Sequence, residues 1–204
     1  MSDDPQPAVH LVDDEAPVRD ALRFLLHMHG LAAHTYASGP EFLAALDAGP
    51  LRGCIVLDVR MEPLSGLQVH DELMARGVRL PVLFLSGHGD IPMAVDALKK
   101  GAFDFVEKPF GDDALVERVQ RALRLEARQH EARSDDEHAA ARLASLTERE
   151  REVMHRVAAG KLNKVIADEL GIAIRTVEVH RARVFAKLGV RSAAEVATLL
   201  ARTS

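Results

Sequence analysis

Asp13, Asp14, Asp58, Ser86 and Lys108 are residue types that could handle a phosphoryl group, and each stands at or just past the end of a short apolar run. Three carboxylates drawn to one edge would repel one another and raise at least one carboxyl pKa. A hard divalent cation relieves that repulsion. Mg²⁺ suits the task, because it takes one or two carboxylates and keeps several waters. A carboxylate beside Mg²⁺ can attack phosphorus and form an aspartyl phosphate. The transferred oxygens then need donors, with Lys108 as a point charge and Ser86 as a hydroxyl. Such chemistry is mainly positioning and charge neutralisation.

Something must bring the five residues together. The apolar runs are Ala8–Val12, Leu31–Ala37, Cys54–Asp58, Pro81–Ser86 and Ala102–Val106. Several are nearly continuous, as strands buried on both faces should be. Helical patterns alternate with them over 15–29, 39–48, 66–76, 91–100 and 112–133. Gly30, Gly77 and Gly101 supply stops, and Ser38, Ser65 and Asp90 supply caps. Five such units predict an α/β doubly wound, five-stranded parallel sheet whose site lies at the carboxyl ends of the strands. The helix at 112–133 should continue weakly into a solvated, partly helical linker over 126–143, with a break or new cap at Ser134-Asp135-Asp136.

Charge divides the chain. Residues 1–125 carry net −7, residues 126–140 net −3 and residues 141–204 net +5. An acidic module joined to a basic one predicts that the C-terminal part seeks an anionic partner such as double-stranded DNA. The last ~60 residues read as an all-α, four-helix module. Thr147 with Glu150 and Ser192 with Glu195 form capping boxes, Asn163 can cap a helix over 164–170, and Gly160, Gly171 and Gly189 end helices. Two short helices joined around Gly171, the second basic, make a helix-turn-helix pattern. In that second helix, 175–188, Ile174, Val177, Val184 and Leu188 can face the core. Glu178, Val179, Arg181, Ala182 and Arg183 lie around the opposite side.

Composition excludes other classes. The 204 residues are 48% hydrophobic and 28% charged, which suits a packed globular chain rather than disorder or a coiled-coil rod. One cysteine, Cys54, rules out a disulfide framework and points to a reducing compartment. Aromatics at 4% are too sparse for a base-stacking platform. No apolar run approaches the ~18 residues of a membrane span, and the acidic start lacks signal-peptide features, so a soluble, cytoplasmic protein without membrane contact is expected.

The residues Asp13-Asp14-Glu15, Asp58, Ser86-Gly87-His88-Gly89-Asp90 and Phe105-Val106-Glu107-Lys108-Pro109-Phe110 resemble the receiver domain of two-component response regulators. The resemblance implies that Asp58 accepts phosphate from a sensor histidine kinase. It implies that Asp13, Asp14, Asp58 and the Arg60 main-chain carbonyl bind Mg²⁺. Ser86 and Phe105 would be the switch pair, Lys108 the phosphate-sensing cation, and the Lys108–Pro109 bond cis. Residues 146–201 are similar to the LuxR-type helix-turn-helix of NarL/FixJ regulators, closest to the FixJ branch. They carry Leu146-Thr147-Glu148-Arg149-Glu150, Asn163-Lys164-Val165-Ile166-Ala167, Thr176-Val177-Glu178-Val179-His180 and Lys187-Leu188-Gly189-Val190. By this likeness Glu178, Val179 and Ala182 face base edges, where glutamate can accept from cytosine and the apolar pair suits thymine methyls. Asn163 belongs to the same DNA-binding set, and Lys164, Thr176, His180, Arg181, Arg183 and Lys187 touch phosphates.

The implied whole is a transcription regulator with a receiver domain over 1–125, a linker over 126–143 and a DNA-binding domain over 144–204. Over 91–100, Ile91, Ala94 and Leu98 would face inward and leave Val95 outside. Phosphorylation would drive a homodimer through a surface holding Val95 and Lys99, or else through 193–202 of the basic module, aligning two recognition helices on a palindromic operator. RNA polymerase is a further partner the resemblance admits. The chain would not be an enzyme, although the aspartyl phosphate would be lost slowly by itself. Rival readings are a phosphorylation-independent DNA-binding regulator and an aspartyl-phosphate phosphatase. The latter wants a second acid two residues after the nucleophile, where this chain has Arg60. Two departures stand out. Glu62 occupies the family's usual proline position, with Pro63 next, and Ala173 replaces a Ser/Thr helix cap.

Overall fold

The computed structural model describes residues 5–87 and 91–203. The elements run β1 (Ala8–Val12), α1 (Ala16–Met28), β2 (Ala33–Tyr36), α2 (Gly39–Ala48), β3 (Gly53–Asp58), α3 (Gly66–Ala75), β4 (Val82–Ser86), α4 (Ile91–Lys99), β5 (Asp104–Glu107), α5 (Asp112–Ala144), α6 (Glu148–Ala158), α7 (Asn163–Leu170), α8 (Ile174–Leu188) and α9 (Ala193–Thr203). The chain divides into two compact units, residues 1–129 and 130–204.

In the first unit all five strands are parallel, in the order β2-β1-β3-β4-β5. The winding reverses between β1 and β3, and a crevice opens at that point beyond the strand ends. Strands β1, β3 and β4 are buried at every residue. Their alternating side chains feed two cores. Val12, Ile55, Leu57, Val82 and Phe84 face one layer of helices, and Val9, Leu11, Val56, Leu83 and Leu85 face the other. Each such side chain contributes about 1.5–3 kcal/mol on burial. Cys54, Met61 and Met154 are buried packing residues.

Local signals act as their chemistry dictates. Ser38 accepts from the Glu41 amide, and the Ser65–Gln68 and Thr147–Glu150 capping boxes are closed. At the start of α9, Ser192 accepts from the Glu195 amide, while the Glu195 carboxylate reaches back to the Arg191 amide. Both Lys108–Pro109 and Glu62–Pro63 are cis.

Several expectations need correction. The segment 126–143 is helical throughout, as part of α5, with no break at Ser134. Ser and Asp cost a helix only tenths of a kcal/mol each, and neither Gly nor Pro is present to stop it. Glu126 has reason to hold the helix in place: it is 1% exposed and pairs with Arg52 through both carboxylate oxygens at 3.1 and 3.3 Å. Asn163 does not cap α7. The cap position is Leu162, without a side-chain bond, and the Asn163 Oδ1 instead accepts from Arg181 at 3.0 Å. Arg181 accordingly lies half-buried towards α7, over the Phe185 ring, rather than on the outer side of α8. Ile174 is 46% exposed, so the inner face of α8 is Val177, Val184 and Leu188. On α4, Leu98 is exposed and Ala97 takes the inward position. The expected cap at Asp90, like His88 and Gly89, lies outside the described residues.

Candidate functional site

Parallel strands end at a common edge, so residues at their carboxyl ends are forced into proximity. β3 delivers Asp58, the first residue past β1 is Asp13, and the first past β5 is Lys108. Asp13 and Asp58 are buried, at 2% and 7% exposure. The Lys108 Nζ lies 2.7 Å from the Asp58 Oδ1 and 3.2 Å from the Asp13 Oδ2. One ammonium thus bridges two carboxylates, the three groups coming from the ends of three different strands.

Each group is held by its own backbone neighbourhood. The Arg60 amide donates to the Asp58 Oδ2 at 2.7 Å, and the Glu15 amide to the Asp13 Oδ1 at 2.9 Å. The Lys108 amide donates to the Ser86 carbonyl at 2.7 Å, tying β5's exit to β4. Gly66 approaches so closely that a Cβ there would sit 2.1 Å from the Asp58 carbonyl oxygen. Burial raises the Asp58 pKa above its ordinary value, against the lowering effect of Lys108. Burial works to lower the Lys108 pKa, but the two carboxylates outweigh it and the group is raised overall.

Asp13, Asp58, Ser86 and Lys108 therefore meet at the strand ends. Asp14 does not join them: it is exposed, in the bend between β1 and α1. No group of three or more His, Cys, Asp or Glu side chains among the described residues stands close enough to hold a metal ion. The donor chemistry still fits Mg²⁺, since two hard carboxylates suffice when water fills the remaining positions. Phe105 is half-buried, with its ring 6.2 Å from that of Phe84. Val95 is 44% exposed and Lys99 is exposed as well.

In the second unit, Val177, Val184 and Leu188 root α8 in a core with Val153, Met154, Ile166 and Val196. Lys164, Thr176, Glu178, Val179, Ala182 and Arg183 are exposed. Glu178 accepts from Arg175 at 3.1 Å. Lys187 is engaged, 2.6 Å from the buried Glu150 carboxylate and 3.1 Å from the Ser145 carbonyl. The His180 Nδ1 is buried without a hydrogen-bond partner among the described residues. Ala173 leaves α8 without a side-chain cap, and the Thr176 amide bonds to the Ala173 carbonyl instead.

Sequence reasoning missed three supports. Arg19 donates to the Asp13 carbonyl at 2.6 Å; a cation in the first turn of a helix, against the macrodipole, was the available signal. The Arg52–Glu126 and Lys187–Glu150 pairs join residues 74 and 37 apart. No local pattern marks such pairs.

Among the described residues no helix is long and apolar enough to cross a membrane. The response regulator receiver domain model matches residues 9–120, and the model for bacterial regulatory proteins of the luxR family matches residues 144–200. The C4-dicarboxylate transport transcriptional regulatory protein DctR of Rhodobacter capsulatus is 51% identical over 94% of this chain and 98% of its own length. The transcriptional regulatory protein FixJ of Azorhizobium caulinodans is 48% identical over 92% of this chain and 89% of its own length. The structure of the response regulator StyR is similar with a TM-score of 0.89 at 39% identity, covering 97% of this chain and all of that one. Motifs, strand-end geometry and relatives over nearly the full length agree, and the chain belongs to the two-component response regulators of the NarL/FixJ type, built from a receiver domain and a LuxR-type DNA-binding domain.

Proposed function

We propose that a sensor histidine kinase phosphorylates this chain on Asp58 and that the modification controls its binding, as a homodimer, to a palindromic operator in double-stranded DNA. The observation that carries the reading is the Asp58 carboxylate, nearly buried at the crevice where the sheet reverses and 2.7 Å from the Lys108 ammonium.

Receiver domains of this family generally take Mg²⁺ for phosphorylation. Here Asp13, Asp14, Asp58 and the Arg60 carbonyl would hold it, Asp14 through water. The ion, when bound, supplies positive charge to the transferring oxygens. The rest falls to the chain. An Asp58 oxygen attacks phosphorus, the P–N bond to the kinase histidine breaks, and its electrons return to the imidazole. Lys108, already charged, exchanges a carboxylate oxygen for a phosphoryl oxygen. Ser86 offers its hydroxyl to another, and Phe105 turns inward into the space Ser86 vacates. The surface around α4 then changes, and Val95 and Lys99 become part of the dimer contact. The aspartyl phosphate is lost slowly by hydrolysis, which resets the switch in a cytoplasmic regulator.

Residues 144–204 form the DNA-binding part and residues 1–125 the receiver. On α8, Glu178, Val179 and Ala182 face base edges. Lys164, Thr176 and Arg183, with His180, Arg181, Lys187 and Asn163 nearer the helix roots, serve the phosphate backbone. RNA polymerase is the partner through which promoter activity would be set. A genome-wide binding map with the wild-type chain and with Asp58→Asn tests the proposal. Sites sharing a palindrome that weaken in the variant support it; an identical map for both chains contradicts it.

A further inference from the structure

At the opposite end of the sheet from Asp58, where β4 and β5 begin, α3, α5 and the turn after α4 line an open cavity of about 410 Å³. Leu73, Val78, Leu80, Phe103 and Leu125 give it an apolar wall. Two polar groups break that wall. His70 is 2% exposed, its ring packs edge-on to Phe84 at 5.4 Å, and no hydrogen bond among the described residues engages either ring nitrogen. Arg79 is exposed at the rim, and no carboxylate among the described residues pairs with it.

The His70 ring nitrogens are not shut away from solvent, and with no protein partner among the described residues they can exchange a hydrogen bond with a ligand's hydroxyl. An unpaired guanidinium beside an apolar wall is the complement of a carboxylate on an apolar body. The cavity volume lies within the range of small-molecule sites. We propose that this cavity binds a small aryl carboxylate carrying a distal hydroxyl, with the carboxylate on Arg79, the ring against Leu73, Phe103 and Leu125, and the hydroxyl at His70. Burial lowers the His70 pKa, so the ring is neutral near pH 7 and can both donate and accept.

The location gives such a ligand a lever. Leu125 and Gln129 line the cavity from α5 and flank Glu126, whose pairing with Arg52 fixes that helix to the sheet. A bound ligand would brace this stretch of α5 without touching Asp58. The site is thus a chemical input separate from phosphorylation.

The test is calorimetric titration of the full chain with para-coumarate, cinnamate and para-coumaryl alcohol. Para-coumarate should bind most tightly, and amide exchange over residues 123–131 should slow in its presence. Arg79→Ala should weaken para-coumarate and cinnamate by about tenfold and leave the alcohol unchanged. His70→Phe should remove the preference for para-coumarate over cinnamate. Leu125→Trp should fill the cavity and abolish binding, and Met74→Trp on α3 serves the same end should the first perturb α5. The proposal fails if no compound binds below its solubility limit. It fails equally if Arg79→Ala acts on acid and alcohol alike, or if binding survives both tryptophans.

Discussion

Each unit of this chain sets a lysine against a buried carboxylate, and burial wins in one pair while charge wins in the other. In the receiver, Lys108 serves both Asp58 and Asp13, so neither carboxylate has a full counter-charge, and burial leaves the Asp58 pKa raised. In the DNA-binding unit, Lys187 serves Glu150, which also accepts from the Thr147 amide; that ammonium and that amide hold its pKa down at about 2. The first arrangement is short of positive charge and ready to accept more. The second is complete: it closes a helix start and fastens α8 to α6. The same two residue types make a reaction site in one place and a structural clasp in the other, and the number of carboxylates per cation decides which.

The comparison can be broken most severely at Lys108. Lys108→Ala leaves two buried carboxylates facing one another and should cost about 3 kcal/mol in Mg²⁺-free buffer. Added Mg²⁺ should recover much of that loss in thermal melts; a melt insensitive to Mg²⁺ would mean the carboxylates do not share a cation site. Lys187→Ala comes next. It strands Glu150 and should destabilise the second unit by about 2 kcal/mol, seen in denaturant titration, before any effect on DNA is counted. Were stability unchanged and only DNA affinity lost, Lys187 would act as a phosphate contact alone and not as a clasp.

The two carboxylates should also answer acid with opposite signs. The folded pKa of Glu150 lies below its ordinary 4.5, so its contribution is complete above pH 4.5 and is lost as pH falls towards about 2. Methyl signals of Val153 and Val177, in the same core, should report loosening in that window. Asp58 is raised, so its burial penalty is present above its folded pKa and relieved as protons bind. The smallest effect follows from this: Asp58→Asn should stabilise the receiver, by about 1 kcal/mol, in melts at neutral pH.

Much of this was legible in the sequence because it is periodic or local. Buried parallel strands are continuous apolar runs, so Ala8–Val12 and Gly53–Asp58 stand out, and their ends name Asp13 and Asp58. Ser65 and Thr147 announce helix starts through partners three residues on. What escaped depends on distant partners. Ser134-Asp135-Asp136 looks like a break because propensity is local, whereas the helix passes through it without interruption. Arg181 reads as an outward cation until Asn163 and Phe185 are seen beside it. Asp14 belongs to the acid pair by type but stands exposed in the bend between β1 and α1.

The most direct test of the central claim is chemical. An acyl phosphate reduced with borohydride leaves homoserine at the phosphorylated position. After incubation with acetyl phosphate and Mg²⁺, reduction and peptide sequencing should find homoserine at position 58 in the wild-type chain and none in Asp58→Asn. Homoserine at position 13 or 14, or label retained by the variant, would show that the carboxylate beside Lys108 is not the phosphoryl acceptor.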